Sequence, residues 1–154
     1  MKTTASDRWM EWTWRLLRLG LGSVFIYAAI DKIRHPDMFS QVVYNYKLLP
    51  DIAVNLFALV LPWVEAVVGL FLILGLYEWI SLTLFNGLLI IFMGALGLSL
   101  IRGLDISCGC FSSDPTGEKV SWFTLFRDSL VLIPGLSAYL LLVRLRRPPF
   151  FKRG

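Results

Sequence analysis

The sequence predicts an all-α membrane protein, a bundle of four transmembrane helices with a short amphipathic helix in the first outer loop. Hydrophobic residues make up 56% of the 154 residues and charged residues only 17%, whereas about a quarter of the residues of a soluble domain are charged. The apolar residues lie in blocks of roughly 20 residues, the length of a spanning helix. The net charge of +4 comes from basic residues beside these blocks, which indicates membrane flanks rather than nucleic-acid binding.

Four apolar blocks within a single domain, residues 1–154, are the predicted spans. Trp79 and Trp122 stand at the starts of the third and fourth blocks, where an amphipathic indole would meet the membrane interface. Trp63 is an exception, because it lies deep in the second block. The spans are predicted at about residues 14–30, 52–76, 79–101 and 120–143.

The loop after the first block is predicted to form a short helix on the membrane surface. Pro36 suits a first helical turn, and Asp37 complements the dipole of that turn. Apolar residues then recur at helical spacing, and Pro50 separates this helix from the second block. The helix is either a lid over the outer end of the bundle or an interfacial anchor; its apolar residues are Met38, Phe39, Val42, Val43 and Tyr46.

The distribution of Lys and Arg sets the expected orientation. The two ends of the chain carry more of these residues than the first and third loops, and the loop around Tyr77 and Glu78 carries none. Both termini are therefore predicted to be cytoplasmic, with the third loop outside the inner (cytoplasmic) membrane of a bacterium. Cys108 and Cys110, the chain's two cysteines, would then face an oxidising compartment. The basic residues at the ends are Lys2, Arg8, Arg15, Arg18, Arg144, Arg146, Arg147, Lys152 and Arg153.

The run Cys108-Gly109-Cys110 admits three interpretations. Two small cysteines could fill a helix end, or their thiolates could hold a soft ion such as Cu(I). A closed zinc site needs further ligands, and His35 is the single histidine of the chain, so we expect no metal centre. We favour redox chemistry, because Gly109 permits the bend that joins the two sulfurs. So short a ring is a poor staple and exchanges readily.

Ionisable residues inside the spans are costly in hydrocarbon and mark candidate functional positions. Glu65 lies in the middle of the second span, and we expect it to handle protons, contact a ligand or form a hydrogen bond between helices. Four charged residues near the cysteine loop could form an ion-paired layer in which Lys32 or Arg127 stabilises a thiolate, or a purely structural network. The layer comprises Asp31, Lys32, Arg127 and Asp128, and the candidate pocket residues are Trp63, Tyr44 and Tyr46.

Four segments of the chain resemble the DoxX-like family, specifically its MauE branch: GSVFIYAAIDKIRHP, FSQVVYNYKLLPD, LPWVEAVVGL and LIRGLDISCGCF. The resemblance extends from Arg15 to about Leu132, and its most specific part is Asp-Ile-x-Cys-Gly-Cys-Phe combined with Pro-Trp-x-Glu. It implies a four-helix membrane bundle with a redox-associated role, since MauE is linked to the maturation of methylamine dehydrogenase, whose small subunit is rich in disulfides.

The bundle is also similar in plan to vitamin K epoxide reductase and to the disulfide-bond-formation membrane proteins, which pass electrons from thiols to quinone. Those proteins carry two cysteine pairs and this chain carries one. Either Cys108 and Cys110 both receive electrons from the partner and pass them to the quinone, or a partner protein supplies the second cysteine pair. Quinone as a cofactor is therefore an analogy based on fold.

These features together predict an inner-membrane thiol–disulfide oxidoreductase, or the membrane subunit of one. Its expected partners are the lipid bilayer and a periplasmic thioredoxin-like, rhodanese-like or other thiol protein. The alternative is a non-enzymatic membrane scaffold or carrier that handles copper or a sulfur species through the same thiols.

Overall fold

The computed structural model shows five α-helices among the residues that it describes. These are residues 5–104, 106–110 and 119–145, with side chains from Arg8 onward within these ranges. The all-α prediction is confirmed. The basic tail beyond Leu145 and two residues of the cysteine motif, Asp105 and Phe111, lie outside the described residues. The helices are α1 (Ala5–Arg34), α2 (Pro36–Asn45), α3 (Asp51–Leu74), α4 (Glu78–Ile101) and α5 (Trp122–Arg144).

Three of these helices, α3, α4 and α5, are long and apolar enough to cross a membrane. Their ends fall within two residues of the second, third and fourth predicted spans. The remaining predicted span lies inside α1, which is not among the three helices that qualify by hydropathy. Arg15 and Arg18 near one end and Asp31 and Lys32 near the other lower the apolar character of α1. Its crossing of the membrane stays a prediction.

Helices α1 and α3 touch through their backbones at a pair of glycines. A Cβ atom placed on Gly22 would lie 2.7 Å from the carbonyl oxygen of Gly69, and one placed on Gly69 would lie 2.8 Å from that of Gly22. Small residues at such a crossing let two helices approach more closely than any side chain would allow. The two glycines therefore fix α1 and α3 against each other.

One end of the bundle, which we call the tryptophan end, is a closely packed apolar cluster. Trp14 and Phe85 are fully buried there, together with leucines from α3, α4 and α5. The indole Nε1 of Trp14 donates to Glu78 Oε1 at 3.2 Å, and Arg18 Nη1 donates to the same oxygen at 3.1 Å. This polar group joins the start of α1 to the start of α4.

The opposite end, which we call the cysteine end, is covered by α2. This helix starts at Pro36 with Asp37 in its first turn, as the sequence predicts, and buries Phe39 and Val42 while Met38 is nearly half exposed. A second apolar cluster beneath α2 contains Val42, Tyr46, Leu96 and the two cysteines. The buried face of α2 therefore packs over the end of the bundle that holds the cysteine motif.

Candidate functional site

The cysteine motif is held in a loop whose two arms are joined near their ends. Ser107 and Lys119 form an isolated antiparallel bridge, and the amide of Val120 donates to the carbonyl oxygen of Ile106 at 2.9 Å. Ser121 then caps α5, because its hydroxyl accepts from the amide of Thr124. This pairing holds the residue before Cys108 against the segment that leads into α5.

The two sulfurs form a disulfide between Cys108 and Cys110, whose Cα atoms are 5.3 Å apart, within the usual range for a disulfide. Gly109 between them has a φ of 67°, a left-handed conformation that favours glycine. A Cβ atom at Gly109 would also lie 2.5 Å from Val42 Cγ1. The residue between the cysteines must therefore be glycine both for its backbone conformation and for the packing of α2.

Two oppositely charged side chains at the same turn of α5 flank the disulfide. Arg127 Nη2 lies 3.8 Å from Cys108 Sγ, and Asp128 Oδ2 lies 3.6 Å from Cys110 Sγ. The guanidinium also donates through Nε to Asp128 Oδ1 at 3.3 Å, and the carboxylate is 2% exposed. Each sulfur therefore has a neighbour of different charge.

Tyr46 fixes the backbone of the motif from the loop after α2. Its hydroxyl donates to the carbonyl oxygen of Cys108 at 2.6 Å. Burial raises the pKa of this hydroxyl far above its ordinary value, and the negative charge of Asp128 adds to the effect. Tyr46 therefore keeps its proton and remains a hydrogen-bond donor to the cysteine loop.

A second ion pair lies deeper in the same end of the bundle. Lys32 Nζ donates to both carboxylate oxygens of Glu65, at 2.8 and 2.9 Å, and both residues are buried. The same ammonium lies 5.1 Å from the ring centroid of Phe39, within the range of a cation–π contact. The Phe39 ring also lies next to Gly109, so it stands between the ion pair and the cysteine motif.

Most of these groups border one cavity of about 450 Å³, and Arg127 stands just outside its lining residues. Its walls are apolar residues from all five helices, and Phe25 marks its boundary with the tryptophan end. A large apolar pocket with a few convergent polar groups is the usual form of a small-molecule site. The polar or sulfur-bearing residues of its lining are Lys32, Tyr46, Glu65, Cys108, Cys110 and Asp128.

The structure brings most of the predicted site residues together and leaves four out of the lining of the cavity: Arg127, Asp31, Tyr44 and Trp63. Arg127 nevertheless contacts Cys108 Sγ. Asp31 lies partly exposed and pairs with His35 on the next turn, 3.5 Å from Nδ1 to Oδ1. Tyr44 is 53% exposed and Trp63 is 57% exposed, and neither is among the residues that line this cavity. Tyr44 comes two residues before Tyr46, and Trp63 comes two residues before Glu65; both later residues line the cavity. Two residues correspond to roughly 200° around a helix.

Three features of the site were missed by the sequence analysis. Lys32 is bound to Glu65 rather than to the cysteines, so of the two candidate cations only Arg127 contacts a sulfur among the described residues. Phe39 and Val42 cover the motif, a position that their helical spacing indicates only once α2 is known to lie above Gly109. The walls from α4 carried no signal, because apolar residues in a spanning helix look the same facing lipid or facing a cavity.

Comparison with known proteins places the chain in a family. The family model described as "Methylamine utilisation protein MauE" matches residues 10–143. The methylamine utilization protein MauE of Paracoccus denitrificans is 36% identical over 129 residues, covering 79% of this chain and 69% of that protein. The protein of the same name from Methylorubrum extorquens is 35% identical over 125 residues, covering 80% and 67%.

A third relative, MauE of Methylophilus methylotrophus, is 32% identical over 123 residues, which cover 79% of this chain and 64% of that protein. No solved structure matches the chain. The match to the family model spans α1 through α5 and includes both cysteines and both ion pairs of the cavity. The chain is thus a membrane protein that belongs to the MauE family of methylamine utilisation proteins.

Proposed function

We propose that this protein is a thiol–disulfide oxidoreductase of the inner membrane, or the membrane subunit of one, that serves methylamine utilisation by cycling Cys108 and Cys110. The observation that carries the proposal is the disulfide between these cysteines at the polar end of a cavity, flanked by Arg127 and Asp128. A cysteine beside a cation has an increased thiolate fraction, and the thiolate is the reactive form.

A purely structural role for this disulfide has little physical support. A cross-link stabilises a protein mainly by restricting the unfolded chain, and the effect grows with the length of the closed loop. The loop between Cys108 and Cys110 contains one residue. The motif is also held independently by Tyr46 and by the bridge between Ser107 and Lys119, so the loop does not need the disulfide as a staple.

The proposed reaction begins with a partner protein that carries a dithiol, of the thioredoxin-like or rhodanese-like kind or another thiol protein. A partner thiolate attacks one sulfur and forms a mixed disulfide, and the other cysteine is released as a thiolate. The partner's second thiolate then attacks the partner sulfur of the mixed disulfide and releases the bound cysteine. The partner leaves as a disulfide, and Cys108 and Cys110 hold two electrons and two protons as a dithiol.

The dithiol needs an acceptor before it can react again, and a lipid-soluble quinone suits the cavity. Dithiol and quinone would give disulfide and hydroquinone, with both electrons and both protons transferred. The apolar walls, the volume of about 450 Å³ and the position of both cysteines in the lining support this choice. The oxidation would take place without exposing the sulfurs to water.

The proposed topology has four spans, with α1 crossing the membrane and both termini in the cytoplasm. The cysteine end then faces the extracytoplasmic side, where α2 lies as its cover. Labelling Cys108 and Cys110 with an impermeant maleimide in reduced intact cells tests the orientation. Labelling is expected in intact cells, and labelling only after the inner membrane is broken would contradict the topology.

A carrier of copper or of a sulfur species is a second candidate, because one observation favours it. One ligand atom from each of Cys108, Cys110 and Asp128 lies within 4.8 Å of the other two. The disulfide uses both thiolates, so this arrangement is open to a soft ion only after reduction. A carrier would bind copper stoichiometrically without cycling between dithiol and disulfide.

The decisive experiment equilibrates the purified full chain with glutathione buffers of graded potential and measures the free thiols of Cys108 and Cys110. Reversible two-electron interconversion is expected, and Cys108→Ser and Cys110→Ser should each abolish it while the helix content is retained. A protein that never interconverts, or two Ser variants that retain full activity, would overturn the proposal. Activity lost together with bound copper would support the carrier instead.

A further inference from the structure

We infer that the disulfide opens in one direction: the incoming thiolate bonds to Cys110, and Cys108 leaves as a thiolate held by Arg127. This inference rests on the proposed redox function and assigns a different role to each sulfur. Two independent observations carry it, the unequal charges beside the two sulfurs and their unequal exposure.

The charges beside the disulfide favour Cys108 as the leaving group. In thiol–disulfide exchange, a leaving sulfur that forms the more stable thiolate departs faster. Release of Cys108 places the negative charge 3.8 Å from the Arg127 guanidinium. Release of Cys110 would place it 3.6 Å from the Asp128 carboxylate oxygen, where a like charge opposes it.

The other charged and titratable groups of the site do not reverse this difference. Lys32 directs its ammonium to both oxygens of Glu65, and the Phe39 ring separates that pair from the motif. Arg127 and Asp128 also pair with each other, but each lies next to a different sulfur. The Tyr46 hydroxyl keeps its proton and is directed at the backbone oxygen of Cys108. Arg127 and Asp128 are therefore the groups that distinguish the two sulfurs within the described part of the chain.

Access favours attack on the same sulfur. Cys110 is 8% exposed and Cys108 is 2% exposed. Cys108 is also anchored through its carbonyl oxygen by Tyr46. Cys110 is thus the more accessible of the two cysteines to an incoming thiol.

In the first exchange a thiolate forms a bond to Cys110 Sγ, the bond between the two cysteine sulfurs breaks, and its electron pair goes to Cys108 Sγ. Cys108 is then a thiolate next to Arg127, and no proton is needed until the second exchange. A second thiolate attacks the sulfur bonded to Cys110 and releases Cys110 as a thiolate next to the Asp128 carboxylate. Two protons from solvent, one for each cysteine sulfur, complete the dithiol.

The test locates the mixed disulfide in the wild-type chain. The purified, oxidised full-length protein is treated briefly with 2-mercaptoethanol, quenched with acid and alkylated with N-ethylmaleimide. Tandem mass spectrometry of the tryptic peptide of residues 103–119 then shows which cysteine carries mercaptoethanol and which carries maleimide. We expect mercaptoethanol on Cys110 and maleimide on Cys108 in at least about tenfold excess over the reverse product, since the leaving group governs the rate.

Variants at Arg127 separate an electrostatic role from a structural one. Arg127→Gln should slow the opening of the disulfide about fivefold or more and reduce the product ratio, because the leaving thiolate loses its cation. Arg127→Lys should restore most of the ratio, which a merely structural role for the guanidinium would not predict. Arg144→Gln, at the exposed end of α5, is the matched control; it leaves the 103–119 peptide intact and should leave both quantities unchanged.

The outcomes distinguish this inference from the proposed function. A disulfide that opens with mercaptoethanol on Cys108, or equally on both cysteines, would overturn the inference while reversible cycling in glutathione buffers still supports the redox function. An unchanged product ratio in Arg127→Gln would also overturn it. A disulfide that forms no adduct and never interconverts would reject both.

Discussion

The two ends of the bundle are built from the same helices, and they differ in what fills the space between them. At the tryptophan end, Trp14 and Phe85 are fully buried in a continuous apolar cluster. At the cysteine end, a cavity of about 450 Å³ remains beneath α2. Phe25 belongs to both regions, since it packs in the cluster and also lines the cavity.

Among the described residues, each end also holds one ion pair between helices, and the two pairs have different surroundings. Glu78 accepts from both Arg18 and Trp14, so it has a second donor. Glu65 accepts twice from Lys32 and borders the cavity. Protein interiors are normally filled to the density of organic crystals, so open space next to buried charges and a disulfide is consistent with the ligand site that we propose. The filled end provides rigidity, and the open end holds the groups to which we assign the chemistry.

The largest effect that separates the two ends is expected from removing one partner of each ion pair. Lys32→Met leaves Glu65 buried without its cation and should cost about 3–5 kcal/mol of folding free energy. Arg18→Met should cost about 1–2 kcal/mol, because Glu78 keeps the hydrogen bond from Trp14. Unfolding in mixed micelles with increasing SDS measures both values.

A double variant, Lys32→Met with Glu65→Leu, is the control for this comparison. It removes both charges and should recover most of the lost stability, since a buried pair is often no better than apolar residues of similar volume. Equal losses for Lys32→Met and Arg18→Met would contradict the distinction between the two ion pairs.

Truncation of a buried tryptophan should produce the next largest effect. Trp14→Ala opens a void in the filled end and removes the indole donor to Glu78, so we expect a loss of about 3 kcal/mol. Trp63→Ala is the matched control, because Trp63 is 57% exposed on α3, and its loss should stay below about 1 kcal/mol. Similar losses in the same SDS titration would show that Trp63 is packed against protein after all.

A smaller effect is expected at the contact between α1 and α3. Gly22→Ala places a Cβ atom 2.7 Å from the Gly69 carbonyl oxygen, and overpacking of this kind costs about 1–3 kcal/mol. Gly20→Ala, two residues earlier, meets nothing within 4 Å. It should be neutral or stabilise α1 by up to about 1 kcal/mol. If Gly20→Ala destabilised the protein as much as Gly22→Ala, the glycine contact would not be what holds these helices together.

The smallest stability effect is expected inside the cavity, where space is already present. A Cβ atom at Gly94 meets nothing within 4 Å, and Gly94 lines the cavity. Gly94→Leu should change stability by less than about 1 kcal/mol but slow reoxidation of the dithiol by a short-chain quinone about fivefold or more, because it occupies the ligand space. Gly97→Leu, equally uncrowded and not among the lining residues, is the control. Equal rates in the two variants would argue against the cavity as the quinone site.

The sequence predicted the elements of this fold better than it predicted their rotation. Hydropathy located α3, α4 and α5 within two residues, because the length of an apolar block follows from membrane thickness. It placed Glu65 and Trp63 in the same span without saying that they face different sides. The rotation of a spanning helix is set by its neighbours rather than by its own residues, and so Trp63 and Tyr44 were assigned to a pocket they do not line.

The chemistry of the site was predictable where it depended on residue type. Charged groups and thiols in apolar surroundings are stabilised when they contact one another. This accounts for the grouping of Cys108, Cys110, Arg127 and Asp128. The pairing of Lys32 was not predictable, since either Glu65 or a thiolate would have satisfied an ammonium. The choice depends on the distance between α1 and α3, which only the folded backbone supplies.

The glycine contact sets that distance, and it also determines which helices can move when a ligand enters the cavity. Gly22 and Gly69 bring the backbones of α1 and α3 into contact, so these two helices form a rigid unit. Lys32 and Glu65 belong to this unit. Any widening of the cavity must therefore come from movement of α2, α4 or α5. The disulfide follows α4, and its two charged neighbours lie on α5. Entry of a ligand would therefore shift the sulfurs while Lys32 keeps its position.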